Sequence, residues 1–172
     1  MPRALIAGIG NIFLRDDGFG SAVLQRLQRE SLPPWVTAID FGIRSVHLVY
    51  ELLNDYDVIL LVDATSRGGP PGTLYVLDLE PQSPDLVGEA MFLDPHALTP
   101  DRALLALSAL RGRTVRVRLI GCEPGSVEEG MELTPPVAAA VDPAVQLVLE
   151  QLAELVGTSV EEKGGSPCWD DW

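Results

Sequence analysis

Two aspartates and a histidine carry the chemistry that this 172-residue chain suggests. Asp17 follows the glycine turn Gly8-Ile9-Gly10-Asn11, and Asp63 closes the apolar run Val58-Ile59-Leu60-Leu61-Val62. His96 lies in Leu93-Asp94-Pro95-His96-Ala97, ahead of a helix start. Two carboxylates and one imidazole make a facial metal set with open positions, suited to zinc, iron or nickel. The open positions leave room for a water acidified by the cation, or for ligands that a substrate brings. An acid at the end of a buried strand also needs a partner, because an isolated carboxylate there is costly. His47, the other histidine, reads as a surface or structural residue.

Other chemistries compete for the same residues. A dinucleotide turn needs G-x-G-x-x-G directly after a strand. Gly8 and Gly10 fit, but Phe13 is bulky at the third position. Asp16 and Asp17 put negative charge where a pyrophosphate would rest on the helix N-terminus. Asp40 can stand in for the ribose-binding acid, so a nucleotide- or flavin-binding module stays open. In the bland alternative the glycines make a tight turn and the aspartates cap a helix. The chain has no G-x-S-x-G elbow and no H-E-x-x-H helix. A Cys122–His96 thiol–imidazole pair remains available, as does an Asp17–Asp63 dyad sharing one proton.

The elements that must position these groups alternate between strand and helix, the pattern of an α/β layer fold. Strands are expected near residues 4–7, 36–40, 58–63, 74–77 and 115–121. The third is continuously apolar, as a central strand buried on both faces must be. The fifth alternates Val115, Arg116, Val117, Arg118 and Leu119, which predicts one wetter face. Thr99-Pro100, Thr134-Pro135 and Asp142-Pro143 each place a capping side chain before a proline, so each reads as a helix start. Val145, Val148, Leu149, Leu152, Leu155 and Val156 then recur at helical spacing, with Gly157 as the expected stop. If the first three strands lie in order 2-1-3, Asp17 and Asp63 become neighbours where the strand order reverses.

At this length one domain is expected over residues 1–157, followed by an acidic, flexible tail over 158–172. A formal net charge of −13 disfavours nucleic acid and anionic membrane, since both need a basic face. Asp63 interrupts the longest apolar run, and Met1-Pro2-Arg3 leads straight into a strand, so a cytoplasmic protein is expected. Cys122 and Cys168 supply neither a disulfide framework nor paired zinc spacing.

Taken in order, these segments resemble the nickel–iron hydrogenase maturation endopeptidases over roughly residues 5–155. The resemblance is carried by Gly8-Ile9-Gly10-Asn11, Asp16-Asp17-Gly18-Phe19-Gly20, Val62-Asp63-Ala64 and Pro71-Gly72-Thr73. It continues through Pro95-His96, the Leu107-Ser108-Ala109-Leu110-Arg111 helix, Gly121 with Pro124, and Leu133-Thr134-Pro135. It implies an open, twisted, mainly parallel five-stranded sheet with helices on both faces. The implied activity is cytoplasmic removal of a C-terminal extension from the precursor of the hydrogenase large subunit, by a monomer. Asp17, Asp63 and His96 fall on the family's metal-binding positions, and the nickel they recognise is implied to come with the precursor. Asp16 would then cap the first helix or support Asp17, and Asp40 would support the site from its strand end. One departure stands out: many members carry Asp-Gly-Gly-Thr where this chain has Asp40-Phe41-Gly42-Ile43-Arg44-Ser45. Phe41 cannot enter a glycine-only conformation cheaply, so a differently shaped loop is expected there. Arg44 is available to pair with a carboxylate on the rim or on the substrate. A chaperone that grips the large subunit without cutting it is the alternative within the same partnership.

Overall fold

The computed structural model describes residues 2–43, 45–79 and 115–162. Its elements run β1 (Ala4–Ile9), a 3-10 turn (Arg15–Gly18), α1 (Phe19–Leu27), β2 (Val36–Gly42) and α2 (Ser45–Glu51). They continue with β3 (Val58–Ala64), β4 (Leu74–Leu79), β5 (Arg116–Cys122) and α3 (Pro135–Glu162). The strands form one sheet in the order β2-β1-β3-β5-β4. All neighbours pair in parallel except β4, which runs antiparallel to β5.

The alternation of side chains across β1 and β3 divides the interior into two layers. Ala4, Ile6, Val58, Leu60 and Val62 pack with residues of α1 and α3, including Val23, Leu27, Val148 and Leu152. Leu5, Ala7, Ile59 and Leu61 face the other way, onto Leu48 and Leu52. Each such aliphatic side chain contributes about 1.5–3 kcal/mol when fully buried. Both faces are therefore apolar because both are covered. The chain leaves β1 through α1 on one face and leaves β2 through α2 on the other. The crevice between the carboxyl ends of β1 and β3 is thus the switch point, and the 2-1-3 order is as expected.

Three local expectations are corrected. The strand expected over residues 36–40 continues to Gly42, because Gly8 pairs with Asp40 but Ile9 pairs with Gly42. Phe41 is the extra residue of that bulge, and its ring is buried with Leu48 and Tyr56. The left-handed conformation falls on Gly42 (φ 56°), so Phe41 is spared it. The two helix starts at Thr134-Pro135 and Asp142-Pro143 belong to one helix, α3, which contains Pro143 and passes through Gly157. Val137, Ala140, Ala144, Val145 and Val148 are buried along it without a break, which offsets the backbone hydrogen bond that Pro143 forfeits. The wetter face expected of β5 is covered: Arg118 bonds Asp78 at 2.6 Å and Glu154 at 3.2 Å, and reaches Gln151. No helix among the described residues is long and apolar enough to cross a membrane. His96, Arg44, the helix expected after Thr99-Pro100, Cys168 and everything past Glu162 lie outside the described residues.

Candidate functional site

Gly10 is the pivot of the site. It has a φ of 132°, and a Cβ built there would lie 1.8 Å from the carbonyl oxygen of Asp17 and 3.6 Å from Oδ1 of Asp63. Only a glycine lets the 3-10 turn fold back this closely over the end of β1. The Asn11 N–H donates to Oδ2 of Asp17 at 2.9 Å, which fixes the carboxylate over the turn. Asp63 follows the last β1–β3 pair, Gly8 with Val62, so it emerges beside the same turn. The Ala64 N–H donates to its Oδ1 at 2.8 Å. Burial first, and the charge of Asp17 second, push the Asp63 carboxyl up to about 7, against the lowering effect of the Ala64 N–H. One member of the pair is thereby poised to change protonation near neutrality.

Asp16 has a different role from its neighbour. It is fully buried and points away from the crevice into the β5–α3 connection. Its Oδ2 accepts from the N–H groups of Gly125 (2.7 Å) and Ser126 (2.9 Å) and from the Thr134 hydroxyl (2.7 Å). Its Oδ1 accepts from the Thr134 N–H at 2.7 Å. Burial works to raise its pKa, but the Thr134 hydroxyl and the three N–H groups outweigh it and hold the carboxyl below its ordinary value. The expectation that Asp16 caps the first helix is corrected: α1 begins after Gly18 with no side-chain cap. Asp16 ties the turn that carries Asp17 to the far edge of the domain.

Asp40 accepts from the Ser21 hydroxyl at 2.9 Å and from the Gly42 N–H at 3.0 Å, joining the end of β2 to α1. It lines a cleft of about 230 Å³ together with Gly10, Asn11, Phe13 and Ile43. The cleft therefore opens directly beside the Asp17 turn.

Glu123 is a site residue that nothing in the sequence singled out. It is buried, and accepts from the N–H groups of Arg67 (2.7 Å) and Gly68 (3.2 Å) and from the Tyr75 hydroxyl (2.9 Å). The Arg67 N–H contributes most to holding its pKa below the ordinary value. This anchors the loop that leaves Asp63. The usable signal was its place directly after the last residue of β5, where the sheet delivers it beneath that loop. Cys122 is the last residue of β5, and burial, then Asp16 and Glu123, push its thiol up to about 11. A neutral thiol is a poor nucleophile, which disfavours the Cys122–His96 pair. His47 is exposed on α2, as expected.

Among the described residues no three His, Cys, Asp or Glu side chains form a metal-holding group. The two carboxylates of the expected set meet at the crevice, while His96 is outside the described residues. The turn is also poorly suited to a dinucleotide, since the Asn11 N–H is already taken by Asp17.

Sheet order, switch-point crevice and paired carboxylates define a doubly wound α/β domain with an acidic site at the carboxyl ends of β1 and β3. The hydrogenase maturation protease family model matches residues 21–151, and the chain belongs to that family. It is 33% identical over 153 residues to the hydrogenase 2 maturation protease of Escherichia coli (strain K12), covering 88% of this chain and 92% of that one. The hydrogenase-maturating endopeptidase HybD from E. coli superposes with a TM-score of 0.69 at 31% identity, over 88% of this chain and 93% of its own. The hydrogenase 2 maturation peptidase from Thaumarchaeota archaeon SCGC_AB-539-E09 gives 0.66 at 34% identity, over 87% and 97%.

Proposed function

We propose that this protein is an endopeptidase that removes a C-terminal extension from the precursor of a nickel–iron hydrogenase large subunit. Asp17, Asp63 and His96 recognise nickel that the precursor already carries. The observation that carries the reading is the meeting of Asp17 and Asp63 at the crevice, with Asp63 raised to about 7. Nickel held by the substrate supplies a Lewis acid next to the scissile carbonyl. The chain's own part is to present Asp17 on the Asn11 turn, hold Asp63 beside it, and let one carboxylate take up and return a proton during hydrolysis. The cleft beside Gly10 and Asp40 offers room for an extended peptide next to that pair. Family membership supports the same substrate class. The reading includes a monomer working in the cytoplasm, without nucleic acid or membrane.

A processing assay tests this. Nickel-loaded precursor mixed with the protein should lose a small C-terminal mass, and nickel-free precursor should not. His96→Ala should abolish the loss; unchanged processing by that variant sinks the three-residue assignment. Stable binding of the loaded precursor without any mass loss would instead identify the non-cutting chaperone.

A further inference from the structure

The cleft beside the carboxylates is built from two segments, residues 10–13 and 40–43, together with Ser21. The Gly10 N–H donates to the Gly42 carbonyl at 3.0 Å, which ties the two segments to each other. Within the first, the Phe13 N–H donates to Oδ1 of Asn11 at 2.9 Å, and the Phe13 carbonyl accepts from the Gly130 N–H at 2.9 Å. Within the second, Phe41 is bulged and buried, Gly42 turns the chain at a φ of 56°, and Ile43 is left outside. Bulges of this kind re-aim the side chains that follow them, often next to active sites. The cleft is therefore a fixed feature of the backbone.

Its lining is apolar where it meets solvent. Ile12, Phe13 and Ile43 are 40%, 59% and 71% exposed, and all three line the cleft. They are three of the eight large apolar side chains exposed among the described residues. Single exposed apolar residues are ordinary, but a group of them around one cleft indicates an interaction site. The polar groups beside them are already engaged: Oδ1 of Asp40 accepts from the Ser21 hydroxyl and the Gly42 N–H, and Oδ1 of Asn11 from the Phe13 N–H. At about 230 Å³ the cleft is smaller than the roughly 300–1,000 Å³ of small-molecule sites, so a single side chain fits it and a cofactor does not. The Asp40 carboxylate and a net charge of −13 work against an acidic occupant.

We propose that the cleft receives an apolar side chain of the precursor's C-terminal extension, and that Ile12, Phe13 and Ile43 determine which extensions are accepted. The proposal rests on the endopeptidase reading for the identity of its occupant. Gly10 belongs to cleft and site alike, since a Cβ there would lie 3.6 Å from Oδ1 of Asp63. An extended peptide advances about 3.3 Å per residue, so a chain cut at Asp17 and Asp63 brings a residue about one to three places from the scissile bond into the cleft. In the endopeptidase reading the mature side of that bond is held through its nickel. The extension is the side left to be held by ordinary side-chain contacts. Gripping both sides fixes the bond against the carboxylates. Phe13, too bulky for a dinucleotide turn, thereby serves as a wall for a peptide side chain.

The test measures binding and cleavage separately on nickel-loaded precursor. Phe13→Ser and Ile43→Ser remove apolar surface at exposed positions and leave the backbone bonds of both segments in place, so the fold survives them. Each should weaken precursor binding and raise KM about tenfold, with KM affected more than kcat. Val127→Ser and Met131→Ser, at exposed apolar residues that do not line the cleft, should leave both values unchanged. Precursors with the first three residues of the extension changed in turn to Leu, Asp and Lys locate the occupant. At one of those positions wild type should prefer Leu to Asp and to Lys by about tenfold, and Phe13→Ser should shrink that preference to about twofold. Native affinity in both cleft variants overturns the proposal, as does an equal loss in Val127→Ser and Met131→Ser. Preference for Lys over Leu also overturns it and gives the cleft to a basic side chain facing Asp40; indifference at all three positions does so as well. Wild type that binds but never cuts defeats the endopeptidase reading, while the Leu, Asp and Lys affinities still decide what the cleft holds.

Discussion

Replacing Asp63 with asparagine should make the metal-free protein more stable at pH 8 while abolishing processing. In the folded chain the carboxyl titrates near 7, against an ordinary value of 3.8. Between those values the native state holds a proton that the unfolded chain has released. The group's favourable contribution is therefore complete below about pH 4 and is lost as pH rises through about 7. A gap of about three pKa units corresponds to about 4 kcal/mol, which is a ceiling because an ionised buried carboxylate draws in water and relaxes its surroundings. A gain of about 2 kcal/mol for Asp63→Asn at pH 8 is the working expectation, or about 4–8 °C in Tm for a domain of this size. Asparagine keeps an Oδ1 acceptor for the Ala64 N–H, so the hydrogen bond is not part of the difference. Asp17→Asn should recover a smaller part, since the Asp17 charge is the second cause of the shift. The assay is thermal unfolding from pH 4 to pH 8 with a chelator present. An Asp63→Asn variant no more stable than wild type at pH 8, or one whose advantage fails to shrink toward pH 4, would refute the reasoning.

Asp16→Ala leaves the donors at Gly125, Ser126 and Thr134 without their acceptor and should cost about 3–5 kcal/mol, with faster amide exchange at those three residues. Asp16→Asn should be milder, because an amide oxygen placed at Oδ2 preserves most of the set. Since the Asp16 carboxyl is depressed, its contribution is present above the ordinary carboxylate range and is lost as pH falls through the lowered value, visible as acid unfolding. Gly10→Ala forces a Cβ to 1.8 Å from the Asp17 carbonyl at a φ of 132°, so it should destabilise by about 3 kcal/mol or more and displace Asp17, read as a fall in Tm with loss of processing. Cys122, with its thiol raised to about 11, should resist iodoacetamide at pH 7.5 in the folded protein and react fully in denaturant, as peptide mass mapping would report.

The sheet was legible because its strands carry their environment in their composition. Val58 to Val62 is apolar without interruption, and that alone requires a central strand covered on both faces. The errors cluster where tertiary packing overrides a local punctuation mark. Pro143 and Gly157 read as breaks, but Val137, Ala140, Ala144 and Val148 share one buried stripe, which holds α3 together across the proline. Phe41 read as an obstacle to a glycine turn; the chain instead inserts it as a bulge, buries the ring and leaves the left-handed step to Gly42. Neither outcome depends on nearby residues alone, so no reading of the local sequence could reach it.

The site shows the same limit at the scale of two adjacent residues. Asp16 and Asp17 are chemically identical, and sequence offers only their order. The 3-10 turn separates them by sending one inward to four donors and the other back over Gly10 toward Asp63. The same side chain is thereby held firmly ionised in one position, and in the next it raises the pKa of a third aspartate. What decides between these outcomes is supplied from far along the chain: Gly125, Ser126 and Thr134 for Asp16, and the end of β3 for Asp17. Glu123 escaped notice for the same reason, since its partners at Arg67, Gly68 and Tyr75 lie some fifty residues earlier. A carboxylate's role here follows from the number of donors the fold brings to it. Asp16 and Glu123, with three or more, are fixed structural anions; Asp17 and Asp63 accept one N–H each, and burial beside the Asp17 charge is what singles out Asp63 as the one able to move a proton near neutrality.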